Sequence, residues 1–212
     1  MALPRLLFDG PATARFTLVL AHGAGAPMDS PYMQAFAEGL SSRGFRVVRF
    51  EFPYMDARRL TGKKRPPDRA PVLLDSWSRV VQSLDTSNLI IGGKSMGGRM
   101  ASLWAAEQQT PENGVKGLVC LGYPFHPPGR PEKLRTAHLE SLNTPTLICQ
   151  GERDTFGTRD DVSSYNLSPS IRLHWLADGD HGFKPRKASG LTEQQNWQSA
   201  MDAIAAFAKD LG

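Results

Sequence analysis

Serine 95 stands between two glycines, in Gly93-Lys94-Ser95-Met96-Gly97, directly behind the apolar run Asn88-Leu89-Ile90-Ile91-Gly92. A strand that turns this abruptly into a helix holds the central serine in a strained conformation with its hydroxyl exposed above a sheet, the arrangement called a nucleophile elbow. The glycines supply room where a side chain would strike the turn or the neighbouring backbone. With 20 glycines among 212 residues, such a pattern arises easily by chance. Its weight comes from the flanks: 89–91 reads as a buried parallel strand and 96–109 as the helix that follows.

A serine hydroxyl is a weak nucleophile at neutral pH, so Ser95 needs a base within hydrogen-bond reach and a third group to orient that base. In chain order nucleophile, acid, histidine, each partner belongs on a loop after a different strand. Behind the apolar run 146–150 comes Gly151-Glu152-Arg153-Asp154, which makes Asp154 the acid candidate. Behind 171–175 comes Asp178-Gly179-Asp180-His181-Gly182-Phe183, which makes His181 the base candidate. Among the other histidines, His174 falls within a strand and His138 in a short helical stretch, while His126 follows a strand and is a possible substrate contact. Glu152 is the nearest rival to Asp154, whereas Asp178 and Asp180 stand too close in sequence to His181 to orient it.

Acyl transfer also needs N–H donors aimed at the oxyanion. The backbone amide of Met96 is one candidate. The small-residue loop His22-Gly23-Ala24-Gly25-Ala26 offers the other, with Ala24 the first choice, Gly25 the next, and His22 bracing the loop through its ring. Lys94 is expected at the exposed elbow, in a surface salt bridge or as an attraction for anionic substrates.

The elements that would carry these residues alternate. Strand-length apolar runs at 16–21, 45–50, 88–91, 115–121, 146–150 and 171–175 are separated by amphipathic stretches at 30–43, 71–84, 96–109, a short piece near 159–164, and 192–211. That alternation predicts an α/β fold with a mostly parallel sheet covered by helices on both faces. Two proline-rich connections, 53–71 and 124–145, each follow a strand and read as loops at the carboxyl end of the sheet, where ligands bind in open α/β folds.

Composition sets the frame. A chain of 212 residues, 40% apolar and 22% charged, suits one domain spanning 1–212. No run approaches the roughly 18 apolar residues of a membrane span, and the opening stretch lacks the apolar core of a secretory signal, so a cytoplasmic protein without membrane association is expected. Cys120 and Cys149 lie in strand-like runs and read as buried free thiols. The net charge of +4 owes much to Arg58, Arg59, Lys63, Lys64, Arg65 and Arg69, which read as a solvated loop and carry no nucleic-acid expectation. No His, Cys and carboxylate cluster has metal-site spacing, so neither a metal nor a cofactor is expected.

With HGAG, GKSMGG, GERDTFG and DGDHGF in this order, the chain resembles the α/β-hydrolase superfamily, and more narrowly the small hydrolases grouped near the dienelactone hydrolases, including testis-expressed-30-like proteins. The stretch from Gly122 to Arg135 carries the same likeness. The resemblance implies an α/β-hydrolase fold without a large cap domain and a Ser95, Asp154, His181 triad. Dienelactone hydrolases use a cysteine nucleophile, whereas position 95 is serine. The expected activity is cleavage of a small-molecule carboxylic ester or thioester through an acyl-enzyme. Some relatives act within protein complexes, so the alternative is an interaction module on the same scaffold.

Overall fold

In a computed structural model that describes residues 3–84, 87–108 and 115–212, seven strands form one sheet in the order β1-β3-β2-β4-β5-β6-β7. The strands are β1 (Leu6–Asp9), β2 (Thr17–Ala21), β3 (Arg46–Phe50), β4 (Leu89–Lys94), β5 (Val115–Leu121), β6 (Thr146–Gly151) and β7 (Ile171–Leu176). Of these, only β1 is antiparallel, lying along β3 at the edge. The helices are α1 (Pro31–Ser41), α2 (Pro53–Thr61), α3 (Ala70–Gln82), α4 (Met96–Glu107), α5 (Arg159–Val162) and α6 (Glu193–Asp210).

Alternate residues of each strand face opposite sides of the sheet, and here both sides are apolar. Leu18, Leu20, Val47, Ile90, Val119 and Cys149 pack with Phe36 and Leu40 of α1 and Ile204 and Phe207 of α6. Their neighbours Val19, Val48, Ile91, Leu118, Cys120 and Ile148 pack with Trp77 of α3 and Met100 and Trp104 of α4. Burial on both faces is why the parallel strands read as unbroken apolar runs. Cys120 and Cys149 are buried free thiols, as expected.

Three features depart from the sequence reading. The stretch 53–71 is not all loop, because 53–61 forms α2. Proline at the first helical position keeps the φ a helix needs and lacks only an N–H that would have no partner there, and Gly62 closes the helix in the left-handed region at φ 69°. Strand β1 is the second departure: four residues at a half-exposed edge leave almost no periodic signal. The third concerns α4, which ends at Glu107, while Gln109 of the expected helix lies outside the described residues.

The strand order places the site. From β2 the chain crosses to β3 on one side and then returns to β4 on the other, which opens a crevice at the carboxyl ends of β2 and β4. The loop after β2 and the elbow after β4 therefore meet. Gly93 and Gly97 both back onto the Ala21 carbonyl of β2: a methyl group would lie 2.2 Å from that oxygen at Gly93 and 2.4 Å at Gly97. Both glycines are thus demanded by the neighbouring strand as well as by the turn. Among the described residues, no large cap covers this end.

Candidate active site

Ser95 closes β4 and opens α4 at φ 52° and ψ −115°, a region that non-glycine residues seldom occupy. The conformation is held from outside: Ser95 N donates to Leu121 O of β5 at 2.9 Å, and Ser95 O accepts from Arg99 N at 3.0 Å in the first turn of the helix. The side chain is partly exposed, and its hydroxyl makes no hydrogen bond among the described residues. Met96 is the first residue of α4, so its N–H is one of the helix-start donors without an intrahelical partner.

Asp154 and His181 are brought together from loops after β6 and β7. His181 Nδ1 donates to Asp154 Oδ2 at 2.7 Å, with Asp154 fully buried and the His181 side chain 27% exposed. An ionised carboxylate only accepts, so this bond puts the proton on Nδ1 and leaves Nε2 with a free lone pair. Two further donors seat the carboxylate, Gln150 Nε2 to Oδ2 at 3.0 Å and Phe156 N to Oδ1 at 2.9 Å. The Phe156 ring lies against the imidazole with centroids 4.4 Å apart. Burial pushes the His181 imidazolium below the ordinary histidine value, the Asp154 hydrogen bond pushes it back up, and the nearby Lys94 charge adds to the lowering. A neutral imidazole at neutral pH is the state a general base requires.

The rival carboxylates are used elsewhere. Glu152 accepts from Asp178 N at 2.9 Å and Arg159 Nη1 at 2.7 Å, tying two loops together. Asp178 is claimed by Arg186 and Arg153, and Asp180 accepts from Gly182 N and Lys184 N within its own turn. The histidine loop is further pinned by α6, where Asn196 Nδ2 donates to Phe183 O at 2.8 Å and Trp197 Nε1 to Gly182 O at 3.0 Å. Gln150, Phe156 and Asn196 carry no motif of their own, and only their position in the fold reveals them.

The loop after β2 is braced as expected. His22 is fully buried; its Nε2 accepts from Phe52 N at 3.1 Å, which leaves Nδ1 to donate to Gly23 O at 2.7 Å. Tyr54 Oη donates to Ala24 O at 2.9 Å. Because a trans peptide points its N–H opposite its C=O, fixing Gly23 O toward His22 turns the Ala24 N–H away from that side. The Gly23 backbone passes close to Ser95, whose Cβ would stand 3.7 Å from a methyl at position 23.

Lys94 requires a correction. It forms no surface salt bridge among the described residues. Its Nζ turns inward, donates to the His181 carbonyl, and sits 5.4 Å from the Tyr32 ring centroid and 5.6 Å from that of Phe183. Burial lowers its pKa to about 8, against the opposing pull of Asp154 and Asp180. The ammonium finds better partners in a carbonyl and two aromatic faces than in solvent. Gly122, at φ 66°, leaves the space: a methyl there would lie 2.7 Å from Lys94 Nζ and 3.2 Å from His181 Nδ1.

The other histidines are hydrogen-bonded to groups other than Ser95 and Asp154. His126 is buried behind the 154–161 loop, donating from Nδ1 to Pro127 O at 2.9 Å, so a contact with substrate would require its ring to be uncovered. His138 meets Ser102 Oγ at 2.8 Å, and His174 meets Ser199 Oγ at 2.9 Å. A groove of about 1020 Å³ lined in part by His174, Gln195 and Ser199 runs between β7 and α6 and holds none of the candidate residues. Among the described residues no group of His, Cys, Asp and Glu is arranged to hold a metal ion, and no helix is long and apolar enough to cross a membrane.

Solved structures share this architecture. An α/β serine hydrolase homologue from Coxiella burnetii is 16% identical at a TM-score of 0.66, covering 98% of this chain and 91% of its own. A serine hydrolase without a lid from Xanthomonas campestris is 19% identical at 0.68, covering 97% and 88%. A monoacylglycerol lipase from Paleococcus ferrophilus is 13% identical at 0.71, covering 96% and 99%. At such identities the likeness establishes the fold, and the family model for the alpha/beta hydrolase domain matches residues 14–209. With the elbow, the sheet order and this match in agreement, the chain belongs to the α/β-hydrolase family.

Proposed function

We propose that this chain is a serine hydrolase that cleaves a small carboxylic ester or thioester through an acyl-enzyme. The observation that carries the reading is the 2.7 Å bond from His181 Nδ1 to buried Asp154, at the end of the sheet where Ser95 is held strained and partly exposed. In this mechanism Ser95 Oγ attacks the carbonyl carbon while His181 Nε2 takes its proton. The resulting imidazolium is stabilised by Asp154 and returns the proton to the departing alkoxide or thiolate. Water then repeats the sequence on the acyl-enzyme, with His181 again as base, releasing the acid and restoring Ser95. The N–H groups of Met96 and Ala24 receive the oxyanion at each tetrahedral stage. Catalytic hydrogen bonds are often open in an unliganded enzyme and close in the substrate complex, which fits the unbonded Ser95 hydroxyl.

The test is covalent labelling by a fluorophosphonate probe, alongside hydrolysis of p-nitrophenyl esters of graded chain length and a thioester. The folded wild type should label and turn over at least one ester, and Ser95→Ala should do neither. Undiminished labelling of the folded Ser95→Ala protein would remove Ser95 from the mechanism. A wild type that neither labels nor hydrolyses any of these substrates would favour the interaction module.

A further inference from the structure

One half-buried cationic cluster in this molecule has no anion among the described residues. Its first member, Arg99, lies one turn into α4, and its Nε is buried without a hydrogen-bond partner. Arg135, also half-buried, is held by its backbone, with its N donating to Phe125 O at 2.7 Å and its O accepting from Tyr123 Oη at 3.0 Å. Between them stand Tyr123 Oη and His138 Nε2, 3.4 Å apart, and Ser102 Oγ, which is 2.8 Å from His138 Nε2 and donates to Arg99 O. Neither guanidinium forms an ion pair among the described residues.

Several other arginines have carboxylate partners. Arg49 pairs with Asp9, Arg59 with Glu51 and Asp29, and Arg153 with Asp178. A buried cationic N–H without an acceptor is costly, and folded proteins ordinarily satisfy such groups. Arg99 and Arg135 also feel each other: the Arg99 charge, after burial, lowers the pKa of Arg135 and of His138, which falls to about 4. Two permanent cations that repel one another and lack a carboxylate, beside hydroxyls committed to backbone carbonyls, form a site completed by an anion from outside.

Its position ties it to the candidate chemistry. Helical side chains lean toward the N-terminus, so Arg99, in the first turn of α4, leans back toward the start of that helix. Tyr123 directly follows Gly122, the residue against which both Lys94 and His181 pack. The cluster therefore lies on the β5 side of the elbow, where Ser95 N is bonded to Leu121 O.

We propose that Arg99 and Arg135 form an oxyanion-binding subsite that selects esters carrying a carboxylate or phosphate a few bonds from the scissile carbonyl. The subsite rests on the hydrolase reading for its purpose, though not for its existence. Arginine forks suit both groups, since each presents two or more oxygens to paired N–H donors.

Binding tests the subsite without turnover. Inorganic phosphate and glutarate are titrated calorimetrically into the full chain, its Ser95→Ala variant, Arg99→Gln and Arg135→Gln, with thermal melts to verify folding. Wild type and Ser95→Ala should bind at least one of the two anions, phosphate alone indicating a phosphoryl-bearing substrate and glutarate a carboxylate-bearing one. Both arginine variants should bind at least tenfold more weakly. In parallel, the kcat/KM ratio of mono-p-nitrophenyl adipate to p-nitrophenyl hexanoate should exceed one in the wild type and fall at least tenfold in Arg135→Gln, whose loop position makes it the safer variant for folding. A wild type that binds neither anion, or arginine variants that bind as it does, would overturn the proposal. Anion binding by a chain that resists fluorophosphonate would instead keep the subsite and discard the hydrolase.

Discussion

Lys94 Nζ donates to the main-chain carbonyl of His181, so the residue before the nucleophile candidate grips the residue proposed as its base. Elbow and histidine loop come from strands separated by β5 and β6 in the sheet, and this bond links them directly over the carboxyl ends of those strands. The aromatic faces of Tyr32 and Phe183 hold the ammonium in place.

Replacing Lys94 with Met should therefore loosen His181 while leaving the bulk of the side chain in place. A small misplacement of a catalytic base is expensive, and kcat should fall roughly tenfold or more. Since the Lys94 charge contributes to lowering the His181 pKa, its removal should also move the acidic limb of the kcat/KM profile to higher pH. A pH–rate series on both proteins measures this; an unmoved limb would show that the lysine charge is not felt at His181.

Substituting glycine at Ser95 should abolish activity and stabilise the fold. A non-glycine residue at φ 52° and ψ −115° stores about 1–3 kcal/mol of strain. Glycine relieves it at the cost of a more flexible unfolded chain, about 0.5–1 kcal/mol. The net gain of about 1 kcal/mol corresponds to a melting temperature about 2–4 °C higher for a chain of this size. Calorimetry decides the point, and a lower melting temperature would mean that the elbow is not strained.

Asp154→Asn should preserve the fold and remove most of the activity. The asparagine oxygen can still accept from Gln150 or the Phe156 amide, but its amide can donate to the imidazole and favour the wrong tautomer. In a triad that error lowers kcat by roughly 10⁴-fold. Steady-state kinetics with unchanged circular dichroism would support the assignment, whereas a loss below tenfold would reassign the acid.

His138 should make stability pH-dependent. Its folded-state pKa of about 4 lies below the ordinary 6.5, because burial and the Arg99 charge disfavour the imidazolium. The unfolded chain therefore binds the extra proton as pH drops from 6.5 toward 4, and stability declines across that window; above it the contribution is complete. Each tenfold loss of proton affinity on folding corresponds to about 1.4 kcal/mol, and discounting for solvent around the half-buried ring leaves about 1–2 kcal/mol. Urea denaturation at several pH values should show a shallower acid decline for His138→Gln than for the wild type. Equal slopes would assign the effect to other groups.

The local chemistry around Ser95 is legible in the sequence because it is steric and short-range. Two glycines, an apolar run and a helical stretch dictate strand, turn and helix without distant help, and the alternation of apolar runs is sufficient to predict a parallel sheet. The order of Asp154 and His181 behind later strands is readable because parallel strands deliver the loops after them to one end. What folding decides is the direction of side chains between distant segments. Lys94 reads as exposed in its own stretch, and only the histidine loop, 87 residues later, supplies the carbonyl and an aromatic ring that turn it inward. Arg99 and Arg135 are unremarkable as residues, and they become an unpaired cationic site only when α4 and the loop after β5 pack together. Helix α2 and strand β1 escape the sequence reading for a related reason: one begins at a proline that reads as a breaker, and the other is stabilised by its pairing with β3 rather than by its own four residues. Local sterics are written in adjacent residues, whereas electrostatic partnership depends on which strands the topology makes neighbours.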